Sequence, residues 1–273
     1  MKKVFLFMAL AAASVNSCDE LMSSATESGK SGSDVSATDS IQIATTLREV
    51  EDSSGMYSIS LQLPVDQKSA LAKAVNEYAT EMMGGTFEGE YTDTTAMADH
   101  YLKGIIDEYH EMYGEVPHFA VDGMKLLDNI KMFKVYETPK VVTYEYTTET
   151  FTGGAHGGFY SVGQTFRRSD GRRIGWDILQ HQYGVEFQEM LKHGLKEYFD
   201  IGSDDELKGM LLSEDNFYTI PLPQCPPLFV KDGVMFVYNQ YEIAPYAAGL
   251  PTFVIAYDKI RQYLNVTGKR LLE

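Results

Sequence analysis

The sequence predicts an α+β fold in which antiparallel sheets carry amphipathic helices and the chain forms two associated halves. Helical stripes of apolar residues occupy much of residues 66–113, and an alternation of apolar and polar side chains begins near Ile130. Turn signals then separate a series of later strands. Because the helices alternate with hairpins and not with single parallel strands, no doubly wound sheet is indicated.

The N-terminus has the pattern of a secretion signal over residues 1–17. Lys2 and Lys3 precede a ten-residue apolar stretch, which is too short to span a bilayer. The sequence Val15-Asn16-Ser17-Cys18 then resembles a bacterial lipobox, so we expect cleavage before Cys18 and acylation of that residue. The alternative is an ordinary secretory peptide in which Cys18 is incidental.

Residues 18–40 are predicted to be a lipidated flexible tether, because they are rich in small and polar residues and can bury little apolar surface. Asp19 and Glu20 resemble the acidic signals that some Gram-negative lineages use for lipoprotein export to the surface. The expected location is therefore extracytoplasmic, on the outer membrane or cell surface of a Gram-negative bacterium.

Residues 41–140 are predicted to form a helix-rich first half. Alternation over Tyr57–Leu63 indicates a strand, and Asp66 is expected to cap a helix that ends at Gly84-Gly85. A second helix is predicted over Thr94–Tyr113. Its stripe of methionine and aromatic residues is more typical of a core than of a cofactor site.

Residues 141–273 are predicted to form a hairpin-rich second half. Long antiparallel strands are followed by a turn at Ser169-Asp170-Gly171, and Lys231-Asp232-Gly233 indicates a hairpin. The remaining predicted elements are strands at 141–147, 159–166, 228–230, 234–238 and 252–256, and helices at 185–199, 204–212 and 258–264.

Composition excludes several classes of function. The chain has 39 acidic and 23 basic residues, and loss of residues 1–17 would change its net charge from −16 to −18, because two lysines and no acidic residue are removed. Such a charge repels nucleic acid and anionic lipid headgroups.

The sequence has two cysteines, Cys18 and Cys225. If Cys18 is acylated, Cys225 has no partner for an internal disulfide, so we expect it to be a buried, inert thiol.

No strong catalytic, metal or cofactor motif is present. The six histidines lack the three- or four-residue helical spacing of a zinc-binding helix, so no metal and no cofactor are expected. There is also no Gly-Xaa-Ser-Xaa-Gly elbow and no phosphate-binding loop.

Two loops are the candidate functional segments. In the first, residues 151–158, Gly153, Gly154 and two further glycines surround His156, which would allow close backbone approach to a ligand. The second, residues 241–249, carries Tyr241, Glu242 and Tyr246, which suit a binding rim. The alternatives are a wide hairpin with His156 bonded to backbone carbonyls, and a packed proline-rich corner.

Four features follow one another along the chain: the first loop, Asp170-Gly171 with a following helix, Leu228–Gly233, and the second loop. Together they resemble the extracellular domain family shared by the lysozyme-sensing anti-sigma factor RsiV and the peptidoglycan deacetylase PdaC. The resemblance covers roughly residues 41–264, with 41–140 similar to the PdaC N-terminal part and 141–273 to the RsiV C-terminal part. It implies an α+β envelope domain and, in one branch, direct binding of lysozyme. We expect neither the deacetylase activity nor direct contact with a sigma factor.

Two hypotheses of function follow, together with a purely structural alternative. The preferred one is a non-catalytic lipoprotein that binds a basic protein such as lysozyme, or a peptidoglycan fragment, and contacts the membrane only through its lipid anchor. The rival is a cell-wall hydrolase or esterase that uses His156 as base and Glu242 as its orienting partner. In the structural alternative the two loops only lock the halves together.

Overall fold

A computed structural model describes residues 40–66, 68–115 and 124–273 and confirms the α+β class. The signal sequence, Cys18 and nearly all of the predicted tether lie outside the described residues. The strands are β1 Ile43–Glu51, β2 Gly55–Pro64, β3 Leu126–Glu137, β4 Val141–Phe151, β5 Gly158–Arg167, β6 Arg173–Ile174, β7 Leu228–Val230, β8 Gly233–Val237 and β9 Thr252–Ala256. The helices are α1 Ala70–Met82, α2 Thr94–Tyr113, α3 Val185–Phe199, α4 Asp204–Met210, α5 Asp215–Tyr218, α6 Tyr257–Ile260 and α7 Val266–Arg270, with 3-10 turns at Trp176–Ile178, Tyr246–Ala248 and Arg261–Tyr263.

The first six strands form one sheet in the order of the sequence, and β7, β8 and β9 form a smaller antiparallel sheet. All pairings in the large sheet are antiparallel except β2 with β3, which is parallel. The chain between β2 and β3 includes α1 and α2. The predicted boundary near residue 140 falls in the β3–β4 hairpin, so strands from both sides of it belong to the same sheet.

Helices α1 and α2 pack on one face of the large sheet. Ile59, Leu61 and Met97 are fully buried within this hydrophobic cluster, because alternate residues of β2 and the apolar stripe of each helix face one another. Helix α1 is capped by Ser69, whose side chain accepts from Ala72 N. The prediction that Asp66 is the cap is wrong, since its carboxylate accepts from Lys68 N in the turn before the helix.

The small sheet lies across β4 and β5, on the face opposite α1. Thr143 Oγ1 donates to Phe229 O at 2.7 Å, and Phe229 N donates to Thr165 Oγ1 at 3.0 Å. The side chains of β7 belong to two hydrophobic clusters. Leu228 and Val230 pack in the cluster under α1 and α2, whereas Phe229 packs in a second cluster around α3. The hairpin predicted at residues 231–233 is confirmed by the pairing of β7 with β8.

Several elements were not predicted: β1, β6, α5, α7 and the parallel pairing of β2 with β3. In residues 40–66, 68–115 and 124–273, no helix combines the length and apolar character required to cross a bilayer.

Candidate functional site

The glycine-rich loop connects β4 to β5, whose last pair is Thr150 with Gly158. Gly153 and Gly154 have φ values of 87° and 98°, a left-handed region in which a side chain would be strained. Gly157 follows His156, and a side chain there would meet Thr150 O at 2.5 Å. The glycines therefore allow the loop to turn back tightly and leave the imidazole at the surface.

The two candidate loops meet in space through a ladder of three rings, His156, Tyr246 and Tyr241, which we call the ring ladder. The rings of His156 and Tyr246 are stacked, with centroids 4.0 Å apart and planes at 25°. The ring of Tyr241 lies 5.8 Å from that of Tyr246. The structure therefore brings together residues that are separated by about ninety positions in the sequence.

Hydrogen bonds to one carbonyl fix the centre of the ladder. The Tyr246 hydroxyl donates to Gly157 O at 2.8 Å, and His156 Nδ1 lies 3.1 Å from the same oxygen. The contact with a backbone carbonyl that the wide-hairpin alternative implies is thus present. His156 is nevertheless exposed.

Tyr241 occupies the outer position of the ladder. Its φ of 63° is in the left-handed region, which costs a residue with a side chain about 1 kcal/mol. Its side chain is 61% exposed, so burial does not offset that cost. Strained backbone that presents an exposed aromatic ring is more typical of binding loops than of packed corners.

Glu242 organises the loop behind the ladder. Its Oε1 accepts from Gln224 N at 2.5 Å and its Oε2 accepts from Asn239 N at 2.8 Å. No hydrogen bond or ion pair joins it to His156 in the described part of the chain. The base and orienting pair predicted from the sequence is therefore not formed, and the carboxylate instead accepts from two backbone N–H groups.

In residues 40–66, 68–115 and 124–273, side chains and not a further strand cover the outer edge of β5 beyond its short pairing with β6. Ser161 N donates to Asn239 Oδ1 at 3.0 Å, and Gly163 N donates to Cys225 Sγ at 3.3 Å. Tyr246 continues this row at Gly157 O. Burial raises the pKa of the Cys225 thiol to about 12, so the thiol stays protonated at neutral pH and acts as a packing group, as expected.

A second polar cluster, not predicted from the sequence, contains Asp52, Ser54 and His110. The residue types match a hydrolase triad, but one nitrogen, His110 Nε2, lies 3.1 Å from both Ser54 Oγ and Asp52 Oδ2. In a triad the acid and the nucleophile contact opposite nitrogens of the ring. Ser54 is also fully buried and Asp52 Oδ1 accepts from Ser54 N and Gly55 N, so the cluster holds the β1–β2 turn.

A third feature is a carboxyl group on the helix-facing side of β3. Burial raises the pKa of Asp128 to about 6, the hydrogen bond from the Tyr109 hydroxyl at 3.0 Å acts in the opposite direction, and Glu108 raises the pKa further. Tyr109 belongs to α2, so this contact joins the helix to the sheet.

No group of three or more His, Cys, Asp or Glu in the described residues is arranged to bind a metal ion.

Replacing Glu242 by Gln is expected to lower the free energy of unfolding by about 1–2 kcal/mol, since the amide NH2 would face one of the two backbone donors. Urea unfolding followed by circular dichroism measures this. Glu88→Gln, at an exposed glutamate before α2, is the matched control and should have no effect. Equal stability of the two variants would show that Glu242 does not hold the loop.

Comparisons with known proteins give a family of unknown function and a shared fold. Residues 177–258 match the family model described as "Protein of unknown function (DUF3298)". A crystal structure of a DUF3298 family member from Bacteroides fragilis is similar to this chain with 18% identity and a TM-score of 0.67, and the match covers 85% of this chain and 96% of that one. A DUF3298 family protein from Pseudomonas aeruginosa has 14% identity and a TM-score of 0.57, with coverage of 83% and 94%. None of the curated proteins matches. The matched region contains Tyr241 and Tyr246, whereas His156 lies outside it.

Proposed function

We propose that this chain, whose residues 177–258 match the DUF3298 family model, is a non-catalytic binding module of the bacterial envelope, with the ring ladder as its contact surface. The observation that carries the proposal is the stacking of His156 on Tyr246 beside the exposed, tilted ring of Tyr241. Aromatic rings held in place lose little conformational entropy on binding, and they contribute strongly to the energy of protein interfaces.

The partner that we favour is a basic protein, with lysozyme as the first candidate. Two lines support it: the resemblance to the RsiV and PdaC extracellular family, and a net charge of −16, which attracts a cationic protein at long range. A peptidoglycan fragment is the second partner, because tyrosine rings also stack on sugars.

Membrane attachment and location are part of the same proposal. Acylation of Cys18 would anchor the chain stably, and residues 18–40 would hold the binding module away from the lipid surface. The module would then face the extracytoplasmic space, where lysozyme and peptidoglycan fragments occur.

The hydrolase hypothesis is disfavoured by the position of Glu242. Its two oxygens accept from Gln224 N and Asn239 N, so the carboxylate does not orient the imidazole of His156. Cys225 is also unsuited to act as a nucleophile, because its thiol is buried with a raised pKa.

A binding titration of the purified chain tests the proposal. The chain is titrated with an animal-type lysozyme at two salt concentrations, with an equally basic unrelated protein as control. Binding that persists at the higher salt and spares the control protein is expected. If lysozyme and the control protein bind equally, the binding is explained by non-specific charge attraction, and the proposal that lysozyme is the partner is contradicted.

Two tyrosine variants locate the surface. Tyr241→Ala is expected to weaken binding about tenfold, because an aromatic anchor in an interface contributes on the order of 1–2 kcal/mol. Tyr183→Ala removes a similarly exposed ring before α3 and should have no effect. If both variants bind like the parent chain, the ring ladder is not the contact surface; peptidoglycan fragments titrated against the same set then test the second partner.

A further inference from the structure

Strand β1 is an edge of the large sheet. It pairs with β2 over nine residues in one uninterrupted register, from Ile43 with Pro64 to Glu51 with Met56. In the described part of the chain no strand lies against its other side. β1 contains no proline and no bulge, two common devices that block pairing at an edge, and its charged residues are Arg48, Glu49 and Glu51.

The register identifies which backbone groups face outward. Asp52 N donates to Gly55 O, and Val65 N donates to Gln42 O, so the even-numbered residues of β1 form the bonds to β2. The N–H and C=O groups of the odd-numbered residues therefore point away from the sheet. Arg48 Nη1 donates to one of these carbonyls, Leu47 O, and that oxygen retains a second lone pair.

On the opposite side of the same sheet, outward backbone N–H groups are hydrogen-bonded to side chains. The outer N–H groups of Ser161 and Gly163 in β5 are bonded to the side chains of Asn239 and Cys225. Two outward N–H groups on that side are thus bonded to side chains. Among the described residues nothing bonds to the outward N–H groups of β1, and this edge also exposes Leu47 and Val50, which are 49% and 38% accessible.

We propose that a second copy of this chain occupies the edge, with two β1 strands pairing antiparallel about a two-fold axis at Leu47. This arrangement joins two six-stranded sheets into one and pairs all the outward backbone groups of both strands. The side chains opposite each other would be Leu47 with Leu47, Thr45 with Glu49, Ile43 with Glu51, Ala44 with Val50 and Thr46 with Arg48.

The pattern of charge and apolar residues in β1 selects this register. No like charges oppose one another, and the exposed Leu47 gains an apolar neighbour. Moving the axis to Arg48 would place two arginines opposite each other. Moving it to Thr46 would leave Val50 and Glu51 without a partner strand. Of these three registers, only the one centred on Leu47 pairs every residue of β1 and places no like charges opposite each other.

The overall charge predicts how this association responds to salt. Each copy carries a net charge of −16, so two copies repel one another at long range. Added salt screens this repulsion and should strengthen the dimer. A basic peptide on the same edge would respond in the opposite way, because salt would weaken its attraction.

Sedimentation equilibrium of the purified chain at two salt concentrations tests the proposal. We expect a dimer whose dissociation constant falls as salt is raised. Thr45→Glu places a glutamate opposite Glu49 twice in each dimer and should weaken association about tenfold. Thr45→Glu combined with Glu49→Lys places opposite charges in register and should restore it. Both positions are exposed, so the fold should be unaffected.

Leu47→Pro is a second, independent variant. Leu47 N–H points outward, so proline there spares the pairing with β2 and removes two central bonds of the dimer. We expect this variant to be folded by circular dichroism and monomeric. A parent chain that stays monomeric at both salt concentrations, or a dimer unaffected by Thr45→Glu and Leu47→Pro, would overturn the proposal.

Discussion

Replacement of Gly194 by Ala is expected to lower the free energy of unfolding by about 3 kcal/mol, which corresponds to a fall in Tm of roughly 10 °C for a chain of this size. Gly194 lies within α3, where alanine would by propensity favour the helix by about 1 kcal/mol. Steric overlap outweighs that gain. An added Cβ would lie 2.2 Å from Phe253 Cδ2 and 2.4 Å from its Cγ.

The ring of Phe253 has little room to move. It is buried and stacks on Phe236, with centroids 5.4 Å apart and planes at 6°. The helix α3 would therefore have to shift away from β9. Thermal unfolding followed by circular dichroism measures the effect.

The same substitution at Gly104 is the matched control. Gly104 lies within α2, and no atom is within 4 Å of an added Cβ. Gly104→Ala should therefore raise the free energy of unfolding by about 1 kcal/mol. If the two variants change Tm in the same direction, steric overlap of an added Cβ at residue 194 with Phe253 does not determine the stability of the Gly194→Ala variant.

Replacement of Asp128 by Asn is expected to stabilise the protein at neutral pH by about 2–3 kcal/mol. Burial raises the pKa of this carboxyl from 3.8 to about 6, and one pKa unit corresponds to about 1.4 kcal/mol. The asparagine oxygen can still accept from the Tyr109 hydroxyl, so the substitution removes the buried charge and keeps the hydrogen bond.

The sign of the pH dependence follows from the raised pKa. The folded state favours the protonated carboxyl, so its stabilising contribution is complete below pH 4 and is lost as pH rises through about 6. The difference in unfolding free energy between Asp128→Asn and the parent should therefore be near zero at pH 4 and reach its maximum above pH 7.

Urea unfolding at pH 4, 5, 6, 7 and 8 measures this difference. Carboxyls with lowered pKa values, such as Asp52 and Glu137, cause opposite trends in both proteins and cancel in the comparison. A constant offset at every pH, or a variant that is less stable than the parent at pH 7, would contradict a raised pKa at Asp128.

Local sequence signals predicted the helices and later strands well. The bounds of α2, α3 and β9 agree with the predictions, because each element has a strong periodic stripe and a clear end signal such as Gly114. β1 was missed because the exposed Leu47 and Val50 and the charges at Arg48, Glu49 and Glu51 obscure its alternation. Partners far apart in sequence, such as β2 and β3, leave no local signal.

The candidate site was predicted in part. Glycine spacing and aromatic density selected both loops, and the structure brings them together at His156 and Tyr246. The role of Glu242 could not be predicted, because it depends on which of several donors lie nearby in the fold. Asn239 and Cys225 were not recognised as caps of the β5 edge, since the edge itself is a property of the assembled sheet.

The parallel pairing of β2 with β3 has a consequence for the rate of folding. It joins Gly55 to Leu126 and encloses a long segment that includes α1 and α2, so a large loop must close before these bonds form. The hairpins of β3, β4 and β5 need only short turns and can form early. We therefore expect β1, β2 and their two helices to join a preformed meander late, in the slowest step of folding.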